Sequence, residues 1–210
     1  MVKLFEIRKA LAYRFTEPVV RLLARTPITP SAITWFGFLV TIGAAALIIT
    51  GHLLTAGFVV LIAGFFDILD GALARRTNQA TRFGAVLDST LDRLSEAVLL
   101  LGILALFLFT EEKSAIFTLL SKEWTVLLTS VALIGSPLVS YIRTRTESLD
   151  LECQVGLFTR AERVIALALG LLLSQINYVF LVITLAIIVV FSFFTVGQRL
   201  VYVWRQTKNS

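Results

Sequence analysis

The sequence has little cysteine, histidine or charge. Its one cysteine, Cys153, excludes an internal disulfide and a cysteine-based metal site. Its one histidine, His52, stands in a short connection between apolar segments and is interpreted as a surface residue, not a catalyst. Charged residues make up 16% of the chain, whereas soluble domains have about a quarter. The composition therefore excludes an ordinary soluble protein.

Apolar residues dominate what is present. They fill 57% of the 210 residues, and the mean hydropathy is +0.87. A membrane crossing takes roughly 20 residues, so this length allows one bundle of about six spans and no second folded domain. We therefore predict an all-α integral membrane protein that forms a single domain over residues 1–210.

The first 30 residues are predicted to form an interfacial amphipathic helix and a linker. Over residues 3–25, apolar residues recur at helical spacing and basic residues interleave with them, which is typical of helices that lie on a membrane. The stretch lacks the apolar core and cleavage site of a signal peptide. We expect Pro30 near the start of the next helix, with Ser31 as its cap.

Six apolar segments follow within residues 31–205, and we predict that they form a six-helix transmembrane bundle. The second and third contain too few continuous apolar residues to span alone, so each must include part of an aspartate-rich stretch. The segments cover about 32–50, 55–75, 84–109, 124–142, 161–175 and 177–198.

Lysine and arginine are unevenly distributed between the two sets of connections. The N-terminal region, residues 75–82, residues 143–163 and the tail from Arg199 contain six, three, four and three of them, sixteen together. The opposite connections contain two. By the positive-inside rule, both termini and residues 75–82 are cytoplasmic, in the cell membrane. The net charge of +5 is thereby explained without nucleic-acid binding.

Residues 67–92, "DILDGALARRTNQATRFGAVLDSTLD", place four aspartates between two apolar stretches. On a helix, Asp67 and Asp70 fall within an arc of about 100° together with Gly71 and Ala74. Gly84, Asp88 and Asp92 follow one another at intervals of four in the next segment. A short turn around Asn78 and Gln79 would bring the two acidic stripes together. The pattern therefore predicts four converging carboxylates.

Such a cluster needs compensation, since isolated charges are costly in a membrane and like charges repel. Oxygen ligands without histidine or cysteine favour a hard cation, so we predict Mg²⁺, with Mn²⁺ or Ca²⁺ as competitors. The small residues Gly71, Ala74 and Gly84 leave open space beside the ligands. The alternative is that the aspartates pair with arginines at a solvated helix end, namely Arg75, Arg76, Arg82 and Arg93.

The same stretch resembles the motif of the CDP-alcohol phosphatidyltransferases, D-x2-D-G-x2-A-R-x8-G-x3-D-x3-D, at all eight fixed positions. The resemblance implies that Asp67, Asp70 and Asp88 bind two metal ions, and that Asp92 both adjoins the metals and acts as general base. It also implies a binding site for the cytidine and diphosphate of a CDP-lipid, lined by Gly71, Ala74, Arg75, Thr81 and Gly84, with Ser31 as an N-terminal contact.

The chemistry fits these residues. Two cations on a diphosphate would neutralise the transferred phosphate and the departing CMP. Asp92 could take the proton of an incoming hydroxyl. In-line displacement then needs positioning and charge neutralisation more than a covalent intermediate.

Three arginines, Arg143, Arg163 and Arg199, stand at the cytoplasmic ends of segments four, five and six. Guanidinium groups from three helices in one layer indicate a second anion, although ordinary membrane anchors explain the layer equally well. The stretches "TRFGAVLD", "SYIRTRTE", "RAER" and "GQRL" are similar to the phosphatidylinositol phosphate synthase branch. That resemblance implies that these arginines, with Arg160 nearby, bind the phosphate of inositol 1-phosphate.

The residues predict a metal-dependent membrane enzyme, and the resemblance implies that it forms a homodimer and condenses CDP-diacylglycerol with inositol 1-phosphate, giving phosphatidylinositol phosphate and CMP. Other small alcohols, above all glycerol 3-phosphate, are alternative acceptors. A cation transporter is an alternative of a different class, but the carboxylates crowd towards one face and the opposite face is almost uncharged.

Overall fold

The computed structural model of the chain describes residues 17–112, 114–149, 151 and 155–208. The predicted interfacial helix over residues 3–25 lies only in part within this range, and Cys153 lies outside it. His52 is exposed, as expected for a surface residue.

The described residues form helices and contain no strand, which confirms the all-α prediction. A single turn of 3₁₀-helix, Ala115–Phe117, lies between the fourth and fifth α-helices. The α-helices are α1 at residues 17–23, α2 at Pro30–Ile49, α3 at Leu53–Arg76, α4 at Arg82–Phe109, α5 at Lys122–Glu147, α6 at Arg160–Leu173 and α7 at Val179–Lys208.

The helix α2 begins at Pro30, as expected, but Ser31 is not its cap. Pro30 is the first residue of the helix, where its missing N–H is not needed. The backbone N–H of Ala32 donates to Thr29 Oγ1 at 3.3 Å, so Thr29 is the capping residue. The prediction of Ser31 as the cap is wrong, because the helix begins one residue earlier and Ser31 lies inside its first turn.

The turn between α3 and α4 is built as the sequence indicates. Asn78 has a φ of 54°, in the left-handed region that asparagine tolerates better than most residues. Thr81 then precedes α4, and its hydroxyl oxygen accepts a hydrogen bond from the backbone N–H of Gly84 at 2.9 Å. The predicted turn around Asn78 and Gln79 is thereby confirmed.

Among the described residues, four helices are long and apolar enough to cross a membrane, namely α2, α3, α5 and α7. α4 has 28 residues but carries five charged side chains in its first 15, and α6 has only 14 residues. A helix of that length extends about 21 Å, short of the roughly 30 Å hydrocarbon core. The protein is thus an all-α multi-pass membrane protein, and the count of six spans stays a prediction.

The chain divides into two compact units, and each draws on separate stretches of sequence. The first unit contains the described residues up to Gly43 and Val59–Ser95. The second contains Ala44–Phe58 and Glu96–Ser210, as far as they are described. Neither unit is therefore a continuous sequence segment.

In the first unit, α1 packs against α2 and α3. Val20 is buried in a cluster with Ile33, Leu69 and Leu73. Glu17 accepts hydrogen bonds from Arg21 Nε at 2.8 Å and from Arg76 Nη1 at 2.6 Å. The described end of the predicted interfacial helix is therefore attached to α3 through both apolar and ionic contacts.

In the second unit, small residues allow helices to approach closely, as is common in membranes. A Cβ atom at Gly57 would lie 2.8 Å from Leu172 Cγ and 3.1 Å from the Ala168 carbonyl oxygen. A Cβ at Gly102 would lie 3.1 Å from the Ala45 carbonyl oxygen. α7 packs against both α5 and α6. At Gly57 and Gly102 the helices are therefore so close that a larger side chain would not fit without a shift.

Two glycines of α3 give a matched test of this packing. We expect Gly57→Ala to lower the thermal unfolding temperature in detergent, because the added methyl overpacks against Leu172 and Ala168, at a cost of about 1–3 kcal/mol. Gly64→Ala is the control, since a Cβ there has no neighbour within 4 Å and helix propensity favours alanine. Equal unfolding temperatures for the two variants would contradict the close approach at Gly57.

Candidate active site

Three aspartates from α3 and α4 converge in the first unit. Asp67 and Asp70 lie one turn apart on α3, and the tight turn after this helix brings Asp88 of α4 to them. One carboxylate oxygen of each lies within 4.8 Å of the others. Asp70 is buried, with 4% of its surface exposed, and the other two are half-buried. The predicted convergence of these three carboxylates is therefore present in the structure.

This arrangement suits a divalent cation. Like charges so close together repel unless a positive charge compensates them. Asp70 Oδ2 is buried and has no hydrogen-bond partner among the described residues, and such an orphaned acceptor costs free energy unless a cation or water meets it. The three side chains offer oxygen ligands alone, which hard cations such as Mg²⁺ and Mn²⁺ prefer. The residues present therefore fit the expected metal.

The alternative that arginines neutralise the aspartates does not account for the unpartnered oxygen of Asp70. Arg76 bonds to Glu17 at 2.6 Å, and Arg93 Nη1 donates to the Ser89 carbonyl oxygen at 2.6 Å. Neither bond explains the orphaned oxygen of Asp70. Compensation by a cation explains it directly.

Asp92, predicted as the fourth member, lies outside this group of three. It is half-buried on α4, one turn beyond Asp88. The structure therefore separates the three converging carboxylates from the residue that the sequence pattern nominates as general base.

A cavity of about 170 Å³ opens beside the aspartates. Eight of the nine residues predicted to bind the CDP-lipid line it, and Asp67 does not; the eight are Ser31, Asp70, Gly71, Ala74, Arg75, Thr81, Gly84 and Asp88. Sequence reasoning missed further lining residues at the starts of α2 and α4 and in the turn between α3 and α4: Pro30, Thr34, Gln79, Ala80 and Ala85. The structure thus gathers residues from three stretches of sequence around one cavity.

Two glycines at the cavity wall leave space beside the aspartates. A Cβ at Gly84 would lie 3.0 Å from Thr81 Oγ1, the atom that caps α4. A Cβ at Gly71 would lie 3.4 Å from Arg75 Nη1. Side chains at either position would crowd the cap or the guanidinium and reduce the space beside the aspartates.

The four arginines predicted to bind an acceptor phosphate lie in the second unit and differ in environment. Arg143 is exposed and pairs with Glu147 at 2.8 Å. Arg160 is half-buried at the start of α6. Arg163 and Arg199 are buried, with 1% and 3% of their surface exposed. Arg163 and Arg199 therefore do not fit the alternative that these arginines are ordinary membrane anchors, which would be exposed at the membrane surface.

Both buried arginines bond to the segment before α6. Arg199 Nε donates to the Val155 carbonyl oxygen at 2.9 Å, and its Nη1 donates to that of Val139 on α5. Arg163 Nη1 donates to the Phe158 carbonyl oxygen at 3.3 Å. Residues 155–159, which we call the α6 entry segment, are thus fixed at two points by guanidinium groups.

Two residues of this region escaped sequence reasoning. Gly156 has a φ of +143°, and a Cβ there would lie 3.0 Å from Arg199 Nη2, so glycine makes room for the guanidinium. Glu96 bonds to Arg163 through both carboxylate oxygens. Its signal was present in the sequence, since it follows Asp92 by four residues and continues the acidic stripe of α4.

Comparison with known proteins agrees with the aspartate motif. The sequence pattern of the CDP-alcohol phosphatidyltransferases matches residues 27–199. The chain belongs to the CDP-alcohol phosphatidyltransferase family. It is accordingly an enzyme of phospholipid biosynthesis, and the expected resemblance is confirmed.

Named relatives of this phosphatidyltransferase are similar over nearly their whole length. The archaetidylinositol phosphate synthase of Methanothermobacter thermautotrophicus is 38% identical over 197 residues, which cover 93% of this chain and 91% of the relative. The phosphatidylinositol phosphate synthase of Mycobacterium marinum is 34% identical over 203 residues, which cover 94% and 83%. The phosphatidyltransferase therefore resembles both archaeal and bacterial synthases.

Solved structures of the Mycobacterium tuberculosis phosphatidylinositol phosphate synthase share the fold of this phosphatidyltransferase. The structure with CDP-DAG bound has a TM-score of 0.80 and 34% identity and covers 91% of this chain and 94% of its own. The structure in complex with manganese and citrate has a TM-score of 0.79 at the same identity. The likeness in fold thus accompanies the likeness in sequence.

The aspartate group can be tested by metal binding alone. We expect the purified phosphatidyltransferase to bind Mn²⁺ and Asp70→Asn to weaken the apparent Kd at least about tenfold, because the number of charged ligands sets the affinity of a site for a hard cation. Free Mn²⁺ is measured by electron paramagnetic resonance. Glu111→Gln, at an exposed position, is the matched control and should bind as wild type does. Unchanged binding by Asp70→Asn would refute the site.

Proposed function

We propose that the chain transfers a phosphatidyl group from CDP-diacylglycerol to a hydroxyl of inositol 1-phosphate, forming phosphatidylinositol phosphate and releasing CMP. The observation that carries the proposal is the convergence of Asp67, Asp70 and Asp88 beside a cavity whose lining includes Gly71, Ala74, Arg75 and Gly84 of the same motif. The names of the relatives support the acceptor, and a relative crystallised with CDP-DAG supports the donor.

The donor's nucleotide and diphosphate are assigned to the cavity in the first unit. Its volume of about 170 Å³ is below that of pockets for whole drug-sized ligands, which fits a site for the polar part of a lipid. Arg75 supplies positive charge at the wall, and the glycines allow close approach of phosphate oxygens. The residues proposed to contact the donor are Ser31, Asp67, Asp70, Gly71, Ala74, Arg75, Thr81, Gly84 and Asp88.

We assign the metal ligands to Asp67, Asp70, Asp88 and Asp92, for two cations, Mg²⁺ or alternatively Mn²⁺. When bound, such cations neutralise negative charge on the transferred phosphate and on the departing CMP. The protein's own contribution is to fix three carboxylates on two helices joined by a tight turn. This rigidity spares the site from reorganising during the reaction.

Asp92 is proposed as the general base. The acceptor's hydroxyl oxygen attacks the phosphorus of the diacylglycerol phosphate, the bond from that phosphorus to the CMP oxygen breaks, and CMP leaves with the bonding electrons. The hydroxyl proton passes to the Asp92 carboxylate. Asp92 lies one turn of α4 beyond Asp88, so we propose that it adjoins the metals and also takes the proton.

The acceptor phosphate is assigned to Arg143, Arg160, Arg163 and Arg199. Guanidinium groups bind phosphate through paired, charge-assisted hydrogen bonds. Glycerol 3-phosphate would use the same charges and is the nearest alternative, whereas serine and unphosphorylated inositol would not. The arginine set thus predicts a phosphorylated acceptor.

For the membrane arrangement we propose six spans, in which α4 and α6 join the four apolar helices. The sixteen lysines and arginines on one set of connections support a topology in which both termini and the active site lie on the cytoplasmic side of the cell membrane. We also propose that residues 1–210 act as one domain and that two copies form a homodimer.

An acceptor panel tests the reaction. Purified enzyme with CDP-diacylglycerol and Mg²⁺ should release CMP with the highest kcat/KM when inositol 1-phosphate is the acceptor, compared with glycerol 3-phosphate, serine and inositol. A diether CDP-lipid should be included as a second donor, because one relative is an archaetidylinositol phosphate synthase. A higher kcat/KM with glycerol 3-phosphate would refute the inositol assignment, and equal use of serine would refute the role of the arginines.

A substitution at Asp92 tests the base. We expect Asp92→Asn to lower kcat by about 10²–10⁴-fold, the range that general base catalysis supplies, with little change in the KM for the donor. Thr90→Ala, at an exposed position two residues earlier on α4, is the control and should leave kcat unchanged. A kcat for Asp92→Asn within a few-fold of wild type would contradict the assignment.

A further inference from the structure

A buried ion pair in the second unit has no part in the family motif. Arg163 Nε donates to Glu96 Oε1 at 2.5 Å, and Arg163 Nη2 donates to Glu96 Oε2 at 2.7 Å. The side chains are only 1% and 8% exposed. The two residues are separated by 67 positions in the sequence, so the pair joins α4 to α6.

Glu96 occupies one edge of the Arg163 guanidinium and leaves N–H groups on other edges for further acceptors. An arginine side chain has five N–H groups. Glu96 takes two of them along one edge, and the carbonyl oxygen of Phe158 takes a third, on Nη1. The remaining two N–H groups lie on the terminal nitrogens Nη1 and Nη2, which together can donate to two oxygens of a phosphate.

Arg163 of this pair is also hydrogen-bonded to the backbone ahead of α6. Thr159 caps this helix together with Glu162, and Phe158 directly precedes the cap. Because Arg163 bonds to the Phe158 carbonyl oxygen, the orientation that Glu96 imposes on the guanidinium extends to the α6 entry segment. Arg160, another member of the proposed acceptor set, is the first residue of α6.

We propose that Glu96 is a positioning residue for the acceptor: it orients the guanidinium of Arg163, and through it the α6 entry segment, so that the acceptor phosphate is bound in one geometry. The inference rests on the proposed function, because it assumes a phosphorylated acceptor. Glu96 itself touches neither substrate. Its carboxylate holds the Arg163 side chain in one rotamer, so the guanidinium points in one direction.

Kinetics can separate positioning from stability. We expect Glu96→Gln to raise the KM for inositol 1-phosphate at least about tenfold, because charge-assisted bonds are roughly twice as strong as neutral ones and the amide loses one of two acceptor oxygens. The KM for CDP-diacylglycerol should change less than about twofold. Arg163→Lys, which retains the charge but loses the fork, should show the same split. Glu112→Gln, an exposed acid, is the control.

A merely structural pair predicts a different pattern. Replacement of both partners by apolar residues, in Glu96→Leu/Arg163→Met, often preserves the stability of a buried pair's site. We expect this double variant to unfold near the wild-type temperature and yet to show the raised KM for inositol 1-phosphate. A double variant with a wild-type KM, or a Glu96→Gln variant in which both KM values rise equally, would overturn the proposal.

Hydrogen exchange provides a readout that does not depend on the acceptor. Amides of residues 157–163 should exchange faster in Glu96→Gln than in wild type, with no change in Glu112→Gln. Unchanged exchange would overturn the role of Glu96 in holding the α6 entry segment. If wild type releases no CMP with inositol 1-phosphate, the proposed function fails, while faster exchange in Glu96→Gln would still support the positioning of the segment.

Discussion

The structure depends on how a largely apolar chain accommodates three carboxylates whose oxygens lie within 4.8 Å of one another. Their mutual repulsion, and the cost of the unpartnered Asp70 Oδ2, require a compensating charge. In the proposed function divalent cations supply it, and the local structure leaves room for them. The turn at Asn78 returns α4 to α3, Thr81 ends the turn with a cap, and Gly71 and Gly84 leave room beside the ligands. The same compensation provides the means to bind a diphosphate, so folding and chemistry share one electrostatic requirement.

The second unit also contains buried charges, and there the opposite charges belong to the protein's own side chains. Glu96 and Arg163 are both buried, and each neutralises the other through a two-point contact. Breaking such a pair by removing one partner usually costs more than replacing both. Arg199 also donates to carbonyl oxygens of α5 and the α6 entry segment. Both buried arginines are therefore held by contacts within the second unit.

Much of the candidate site could be predicted because its spacing is helical. Asp67 and Asp70 at an interval of three, and Gly84 and Asp88 at an interval of four, define faces of helices without any knowledge of the fold. The cap of α2 could not be chosen, since Thr29 and Ser31 both flank Pro30 and only the structure shows where the helix begins. Glu96 was overlooked although it continues the acidic stripe of α4, because helical spacing gives no sign of a partner on another helix. Its partner, Arg163, lies 67 residues away, and periodicity carries no information about such contacts.

The number of spans was equally hard to fix, because charge on α4 and the short length of α6 make their apolar signal weak.

The central claim is that divalent cations complete the aspartate site. Its most direct test is the release of CMP from CDP-diacylglycerol by purified enzyme that has been stripped with excess chelator and then titrated with Mg²⁺ or Mn²⁺. We predict no release in chelator and full recovery on addition of either cation, because the carboxylates alone repel a diphosphate. Undiminished release in excess chelator would contradict the account.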